Sequence, residues 1–384
     1  MARERHKKRN ILGLNSYFDY SLLFLTVFLV LFGLIMIYSS SSYVAQRSAS
    51  YGNDAAFFLK RQAFSAVVGI VAMFVAIKFN YKYFKNFRIA KAPLLCYLYI
   101  ICAFLQVYVL FFGDEINGKK RWISIAGQSF QPSDLTKCAV ILLVAYLIYK
   151  APRKLDSFAG FFAIVIMNVP VIMLIALANL STAIVVCAIV GGMCFVASRK
   201  KGYYIASAII AVALVVVFIV FFSDGYRMQR IDIWRNVETH EKGYQIRQGL
   251  YAIASGGLTG SGLGESMQKL GYIPEAQNDM IFTVICEELG ILGAIVTLLL
   301  FVLMLYRIYI IAVNAPDLFG SMICVGAMIH IAVQVLINVA VVTNSIPSTG
   351  IALPFISYGG TSLVIIMAEV GMVLSVSNQI RHER

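Results

Sequence analysis

Charge is what this sequence has least of. Asp, Glu, Lys and Arg together make up 13% of its 384 residues, about half the share carried by a soluble globular domain. With 60% of the chain hydrophobic, there is too little polar surface to keep a fold of this size in water, which excludes a soluble class. The net charge of +13 does not mark a nucleic-acid-binding protein, because the basic residues fall in alternate gaps between apolar stretches. The cysteines number seven; they lie in or beside apolar stretches, with no disulfide framework and no metal-ligand spacing. They read as packing residues. Short-period repeats and low-complexity linkers are lacking too, so residues 1–384 read as a single membrane domain.

What the chain does have is a series of apolar windows, each long enough for the roughly 20 helical residues that cross a hydrocarbon core. Ten spans are predicted, near 19–41, 63–79, 92–112, 134–150, 158–178, 180–197, 203–223, 281–306, 318–341 and 355–378. The expected fold is all-α and polytopic. Only the polar "ANLST" separates the fifth and sixth spans, so a re-entrant pair is the alternative there. The first span follows "RERHKKR", but its apolar core is longer than that of a secretory signal and reads as an uncleaved anchor. Basic clusters at residues 3–9, 78–91, 150–154 and 199–201 put the N-terminus (1–18) in the cytoplasm, and an even number of spans returns the C-terminus there. Residues 224–280 then form one long external loop, of a length that usually carries function.

The unusual polar residues collect in three external segments: 113–133, 224–280 and "TNSIPSTGIALPFISYGGTS" at 343–362. They are expected to converge on one cavity at the outer surface. Asp279 opens the eighth span, where an Asp commonly caps the first helical turn. Glu275 lies four residues earlier, and Glu287 and Glu288 lie about two turns into the helix. Carboxylates inside a span are expensive and usually face a bundle interior or an aqueous cavity, so capping alone does not explain the group. A carboxylate in a partly dry site serves as a general base or holds a divalent cation. The external basic residues, among them Arg61, Lys120, Arg121, Arg230 and Arg247, either contact lipid headgroups or clamp an anion such as pyrophosphate. Lys137, just inside the fourth span, is expected to snorkel outwards to the same surface. "SGGLTGSGLG" offers backbone N–H groups to phosphate, though flexible turns are its commoner role. "GYQIRQGLYAIASGG" has the pattern of a helix lying in the interface with Ile246, Leu250, Ile253 and Ala254 on one face. His330, Gln334 and Asn338 form a polar stripe that suits helix-to-helix hydrogen bonding.

"NGKKRWISIAGQSFQPSDLTK", "GYQIRQGLYAIASGGLTGSGLGESMQKLGYIPEAQNDMIF" and "PSTGIALPFISYGGTS" together resemble the SEDS family (shape, elongation, division and sporulation). "IYSSSS" and "QKLGYIPEAQND" look more like its FtsW and SpoVE branch than its RodA branch. The resemblance implies a ten-span peptidoglycan glycosyltransferase that polymerises lipid II on the outer face of the cytoplasmic membrane. It also implies pairing with a class B penicillin-binding protein and with other division membrane proteins, and no organic cofactor. The family's essential aspartate falls on Asp279. Pro274 and Glu275 match its motif, whereas Gln277, Asn278 and Met280 depart from the common His-Thr and Phe. Arg121, Gln131, Ser133 and Lys137 match a second motif, with Asp134 in place of the usual Glu. Asn338, Thr349, Ser357 and Tyr358 match the last. Implied roles are Asp279 as catalytic base, with Arg61, Lys120, Arg121, Gln131, Ser133, Lys137, Glu275, Asn338, Thr349, Ser357 and Tyr358 as substrate contacts, and Mg²⁺ or Mn²⁺ between carboxylate and pyrophosphate. A lipid-linked precursor flippase, with a binding site near the bilayer midplane, and a non-enzymatic division scaffold are the rival readings.

Overall fold

The computed structural model describes residues 18–89, 92–116, 119–125, 128–206 and 225–380. Among these, nine helices are long and apolar enough to cross a membrane. They are α1 (Tyr20–Arg47), α2 (Phe57–Lys78), α3 (Leu94–Phe112), α4 (Pro132–Lys150), α5 (Phe158–Ala178), α6 (Leu180–Ala197), α9 (Ile281–Val313), α10 (Leu318–Val342) and α11 (Gly360–Ser377). Two shorter helices, α7 (Gly225–Arg235) and α8 (Tyr244–Ser255), lie in the long loop. The span expected at 203–223 falls almost wholly outside the described residues, as does the basic N-terminus. Residues 201–206 are helical.

Helix α4 is the axis of the bundle: Ala139 to Ala145 are buried on every side, enclosed by α3, α6 and α10. Its Pro132 occupies the first turn, where the missing N–H costs nothing. Helices α5 and α6 are separate elements of 21 and 18 residues. Between them Asn179 ends one and caps the other, its Oδ1 accepting from Ser181 N at 3.1 Å and Thr182 N at 3.4 Å. Length therefore favours two spans over a re-entrant pair. The last helix begins at Gly360, five residues later than the hydropathy places it, because the backbone around Pro354 is irregular and Phe355 takes a φ of 65°.

Helix α9 is broken. Gly290 has φ 65° and ψ −168°, a conformation essentially restricted to glycine. Before the break, Ile281 to Glu288 are buried all round; after it, burial narrows to a stripe through Thr297, Phe301, Met304, Ile308 and Ala312. The stretch after the break, 291–313, is long enough by itself to span a bilayer, at about 1.5 Å per residue. Glu287 and Glu288 lie about two turns into the helix, as expected, in the segment before its break.

The segment 113–131 holds a small antiparallel sheet that the hydropathy reading does not anticipate: β1 (Asp114–Ile116), β2 (Lys119–Ile125) and β3 (Gln128–Phe130). It docks on α11, where Thr361 Oγ1 donates to Ser129 O at 2.9 Å.

Candidate active site

The three polar segments meet at one end of the bundle. Asn338, at the end of α10's polar stripe, donates from Nδ2 to both Asp279 O and Ile351 O at 2.8 Å. Tyr358 N donates to Gln277 O at 2.8 Å. These bonds clamp the turn 275–279 against the irregular loop 343–359. Gly350 closes the gap: a Cβ built there would stand 3.8 Å from Asp279 Oδ2. Arg230 Nη1 donates to Ser348 O at 2.9 Å, and Trp234 Nε1 to Asn344 O at 2.9 Å, so α7 lies across the same loop.

Asp279 is half-buried. Burial, with Glu275 adding to it and Arg230 opposing it, pushes its carboxyl from the ordinary 3.8 up to about 6. It does not cap α9, whose N-terminus has no side-chain cap. Glu275 sits at φ 51° and accepts from Asn278 Nδ2 at 2.9 Å. Beside the turn, a cavity of about 290 Å³ is lined by Arg121 and Arg230, by Asn179, Ser181 and Thr349, and by an apolar wall that includes Leu177 and Ile346. It is amphiphilic, with two guanidinium groups at its polar side.

The other expected contacts divide in two. Arg61 lies beside the hydroxyl of Tyr358, the residue that bonds the Asp279 turn, close enough for its charge to act on it, and 4.5 Å above the Phe57 ring. Gln62, which sequence reasoning missed, fastens this corner: it donates to Ser357 O at 3.3 Å and accepts from Gly359 N at 3.2 Å. Lys120 is exposed and donates to Phe111 O at 3.1 Å. Ser357 is buried, its Oγ accepting from Leu353 N at 2.8 Å. Gln131 Nε2 donates to the buried Ser133 Oγ at 2.8 Å. Lys137 does not snorkel; it is 3% exposed and paired with Asp134 at 2.9 Å. The i, i+3 spacing places ammonium and carboxylate on one helix face, where they pair.

Glu287 and Glu288 hold the long loop in place. Glu287 accepts from the Ser266 hydroxyl, from Met267 N at 2.9 Å and from Gln268 N at 3.3 Å. Glu288 Oε1 accepts from Ser39 Oγ at 2.6 Å and from the buried Lys269 Nζ at 2.8 Å. The glycine-rich stretch forms turns, as its composition leads one to expect, and these turns dock on the broken helix, Ile291 N donating to Gly257 O at 2.9 Å and Gly262 N to Glu288 O at 3.0 Å. A Cβ on Gly260 would come within 2.1 Å of Glu288 O. Helix α8 buries Ile246, Gly249 and Ala252 against protein, packing Gly249 on Met280 and Thr283, while Leu250 and Ile253 are half-buried and Ala254 is exposed. The spacing of apolar residues marks which face of a helix is covered and leaves open whether protein or lipid covers it. His330 forms the expected interhelical contact, Nδ1 to Glu369 Oε2 at 2.9 Å.

Residues 20–382 match the family model for FtsW, RodA and SpoVE, described as cell cycle protein. The probable peptidoglycan glycosyltransferase FtsW of Geobacter sp. (strain M18) is 37% identical over 370 residues, covering 95% of this chain and 98% of the relative. Stage V sporulation protein E of Bacillus subtilis (strain 168) is 38% identical, again covering 95% and 98%. Among solved structures, a chain of a peptidoglycan synthase complex that coordinates polymerization and crosslinking superposes with a TM-score of 0.77 at 25% identity, over 94% of this chain and 98% of that one. RodA of Thermus thermophilus gives 0.68 at 25% identity, over 96% and 99%. A match running through every described span and through all three clamped segments means that the chain belongs to the FtsW, RodA and SpoVE family of cell cycle proteins.

Proposed function

We propose that this protein is a peptidoglycan glycosyltransferase that polymerises lipid II into glycan strands, with Asp279 as its base and its active site on the outer face of the bacterial cytoplasmic membrane. The observation that carries the proposal is a half-buried carboxylate titrating near neutrality, held by its own backbone between two arginine-bearing walls. A sugar hydroxyl of one lipid-linked disaccharide attacks the anomeric carbon of another. The bond from that carbon to the phosphate oxygen breaks, its electron pair leaves on the polyprenyl pyrophosphate, and the hydroxyl proton passes to Asp279. A base with a pKa near 6 is ionised at neutral pH and still basic enough to take that proton. Arg121 and Arg230 stabilise the charge growing on the leaving group, and the apolar wall accommodates the start of its lipid tail.

The residues also suit a hard divalent cation. Thr349 Oγ1 and Asn338 Oδ1 are buried oxygens without a hydrogen-bond partner beside Asp279, although no cluster of three His, Cys, Asp or Glu exists among the described residues. That donor set matches Mg²⁺ or Mn²⁺ held by one carboxylate, a hydroxyl and substrate phosphate oxygens. When bound, the ion would offset the pyrophosphate's charge; Asp279 and Thr349 would hold it. Sidedness follows from the basic clusters at the opposite end of the bundle, where membrane lipids meet them. The partner we expect is a class B penicillin-binding protein, within a larger set of division membrane proteins. The test is polymer formation from purified lipid II with Mg²⁺ or Mn²⁺, by the wild type and Asp279→Asn, each with its cognate synthase. Strands from the wild type alone support the reading; equal polymer from both refutes Asp279 as the base.

A further inference from the structure

Polymerisation requires two lipid-linked sugars at once, and two surfaces adjoin the loops that hold the Asp279 turn. One is the cavity carrying Arg121 and Arg230. The other joins Arg61 and Tyr358 to aromatic residues that lie outside the sequence motifs. Tyr51, Phe57, Phe58 and Tyr358 form a continuous aromatic cluster, with ring centroids 4.9 Å apart for Tyr51 and Phe58, 5.1 Å for Tyr51 and Phe57, and 5.0 Å for Phe58 and Tyr358. Phe58 is buried while Tyr51, Phe57 and Tyr358 remain partly open. Arg61 lies against Phe57 and on the Tyr358 hydroxyl. Aromatic faces beside a guanidinium suit a sugar followed by a phosphate: the C–H face of a pyranose packs on the ring, and the guanidinium takes the anion.

We propose that Arg61, Tyr358 and the Tyr51–Phe57–Phe58 cluster form the subsite for the acceptor, and that the Arg121–Arg230 cavity takes the donor. The assignment rests on the glycosyltransferase reading above and follows from where the charges lie on the two substrates. The donor's pyrophosphate is attached to the reacting carbon, so its binding groups belong beside the base. Arg230 meets that condition: it bonds Ser348, in the strip that abuts the Asp279 carboxylate, and its charge acts on Asp279. The acceptor's hydroxyl and its own pyrophosphate stand at opposite ends of a disaccharide. Its binding groups therefore belong further off, reached across sugar. Arg61 fits that condition better than Arg230: it reaches the turn through Tyr358, whose N–H bonds Gln277 O, while Arg230 is the guanidinium whose charge acts on Asp279.

The experiment uses the complex with its cognate synthase and two lipid II analogues. One is capped on the reacting hydroxyl and acts only as donor; the other carries a non-hydrolysable phosphonate linkage and acts only as acceptor. The product is a lipid-linked tetrasaccharide. Arg61→Gln is expected to raise KM for the acceptor analogue about tenfold, the loss of one charge-assisted hydrogen bond, and to leave the donor's KM unchanged. Arg230→Gln is expected to do the reverse and to lower kcat. Tyr358→Phe and Phe57→Ala, which carry no charge change, should follow Arg61→Gln and remain informative if Arg61→Gln folds poorly. The assignment is overturned if Arg61→Gln and Tyr358→Phe raise the donor's KM, or leave both constants alone. Failure of the wild type to form any tetrasaccharide would instead remove the transferase reading itself.

Discussion

Replacing Asp279 by Asn should abolish polymerisation and, at the same time, make the protein more stable. The carboxyl is ionised more reluctantly in the folded state than in the unfolded chain, because burial raises it from the ordinary 3.8 to about 6. That gap corresponds to about 3 kcal/mol at 1.36 kcal/mol per pH unit. The sign follows from proton linkage. Below pH 3.8 the group is protonated in both states and nothing is lost. Between 3.8 and about 6 the unfolded chain releases its proton first, so the folded state falls behind. Above about 6 the whole penalty is present. Asparagine carries none of it and keeps the backbone carbonyl that Asn338 grips. Thermal unfolding in nanodiscs, without substrate or divalent ion, should therefore show the Asn variant ahead at pH 7.5 and level near pH 4. A variant that is less stable than wild type at pH 7.5 would refute this, since it would make Asp279 a structural residue. The same ionisation should appear in kcat/KM, which is expected to climb with pH through about 6.

Asn338→Ala strips the donor from two carbonyls; each unsatisfied group costs about 1–3 kcal/mol, and strand synthesis should fall with the loss of the clamp. Glu288→Ala leaves the Lys269 ammonium buried without its counter-charge, a loss of about 3–5 kcal/mol, of which the double variant with Lys269→Met should recover most in a thermal unfolding cycle. Gly290→Ala places a Cβ 2.4 Å from Gly260 N in backbone space closed to other residues, and should lower stability by at least about 1–3 kcal/mol. Chelation of divalent ions should stop polymer formation, and Mg²⁺ or Mn²⁺ should restore it, read by gel analysis of the glycan product.

Helices were legible in the sequence wherever hydropathy alone decides them: α5 and α6 begin and end where the apolar windows do. The segments that carry chemistry were legible as composition and illegible as contacts. Lys137 looks solvent-bound by type, and only the neighbouring Asp134 inside a fully enclosed helix explains why it stays buried. One partner of Glu288 is Ser39, 249 positions away, and no local pattern announces such a pair. The sheet at 113–131 escaped because its strands are as short as three residues, too brief for alternation to show. The aromatic cluster had a visible signal, the two phenylalanines of "SYGNDAAFFLKR" at residues 50–61, in a gap that hydropathy treats as mere spacing between two spans.

The fate of each carboxylate supports Asp279 as the proposed base. Near the clamped loops the chain places Asp134, Glu275, Asp279, Glu287 and Glu288. Asp134 is neutralised by Lys137 and Glu288 by Lys269. Glu287 accepts two backbone N–H groups and a hydroxyl, so its oxygens are already engaged. Glu275 is exposed and bonded by Asn278. Each of these would have to break a structural contact, or compete with water, to take a proton from a sugar. Asp279 forms no ion pair within 4 Å among the described residues; its backbone, and not its carboxylate, is what Asn338 holds. Fixing the main chain while leaving the side chain uncommitted is what a base requires: its position is set before the substrate arrives, and its oxygens remain available to accept a proton. On this logic Asp134→Asn and Glu287→Gln should lower activity only as far as they loosen the fold, and activity measured per folded molecule should stay within a few-fold of wild type, whereas Asp279→Asn should abolish it in a protein that is more stable than before.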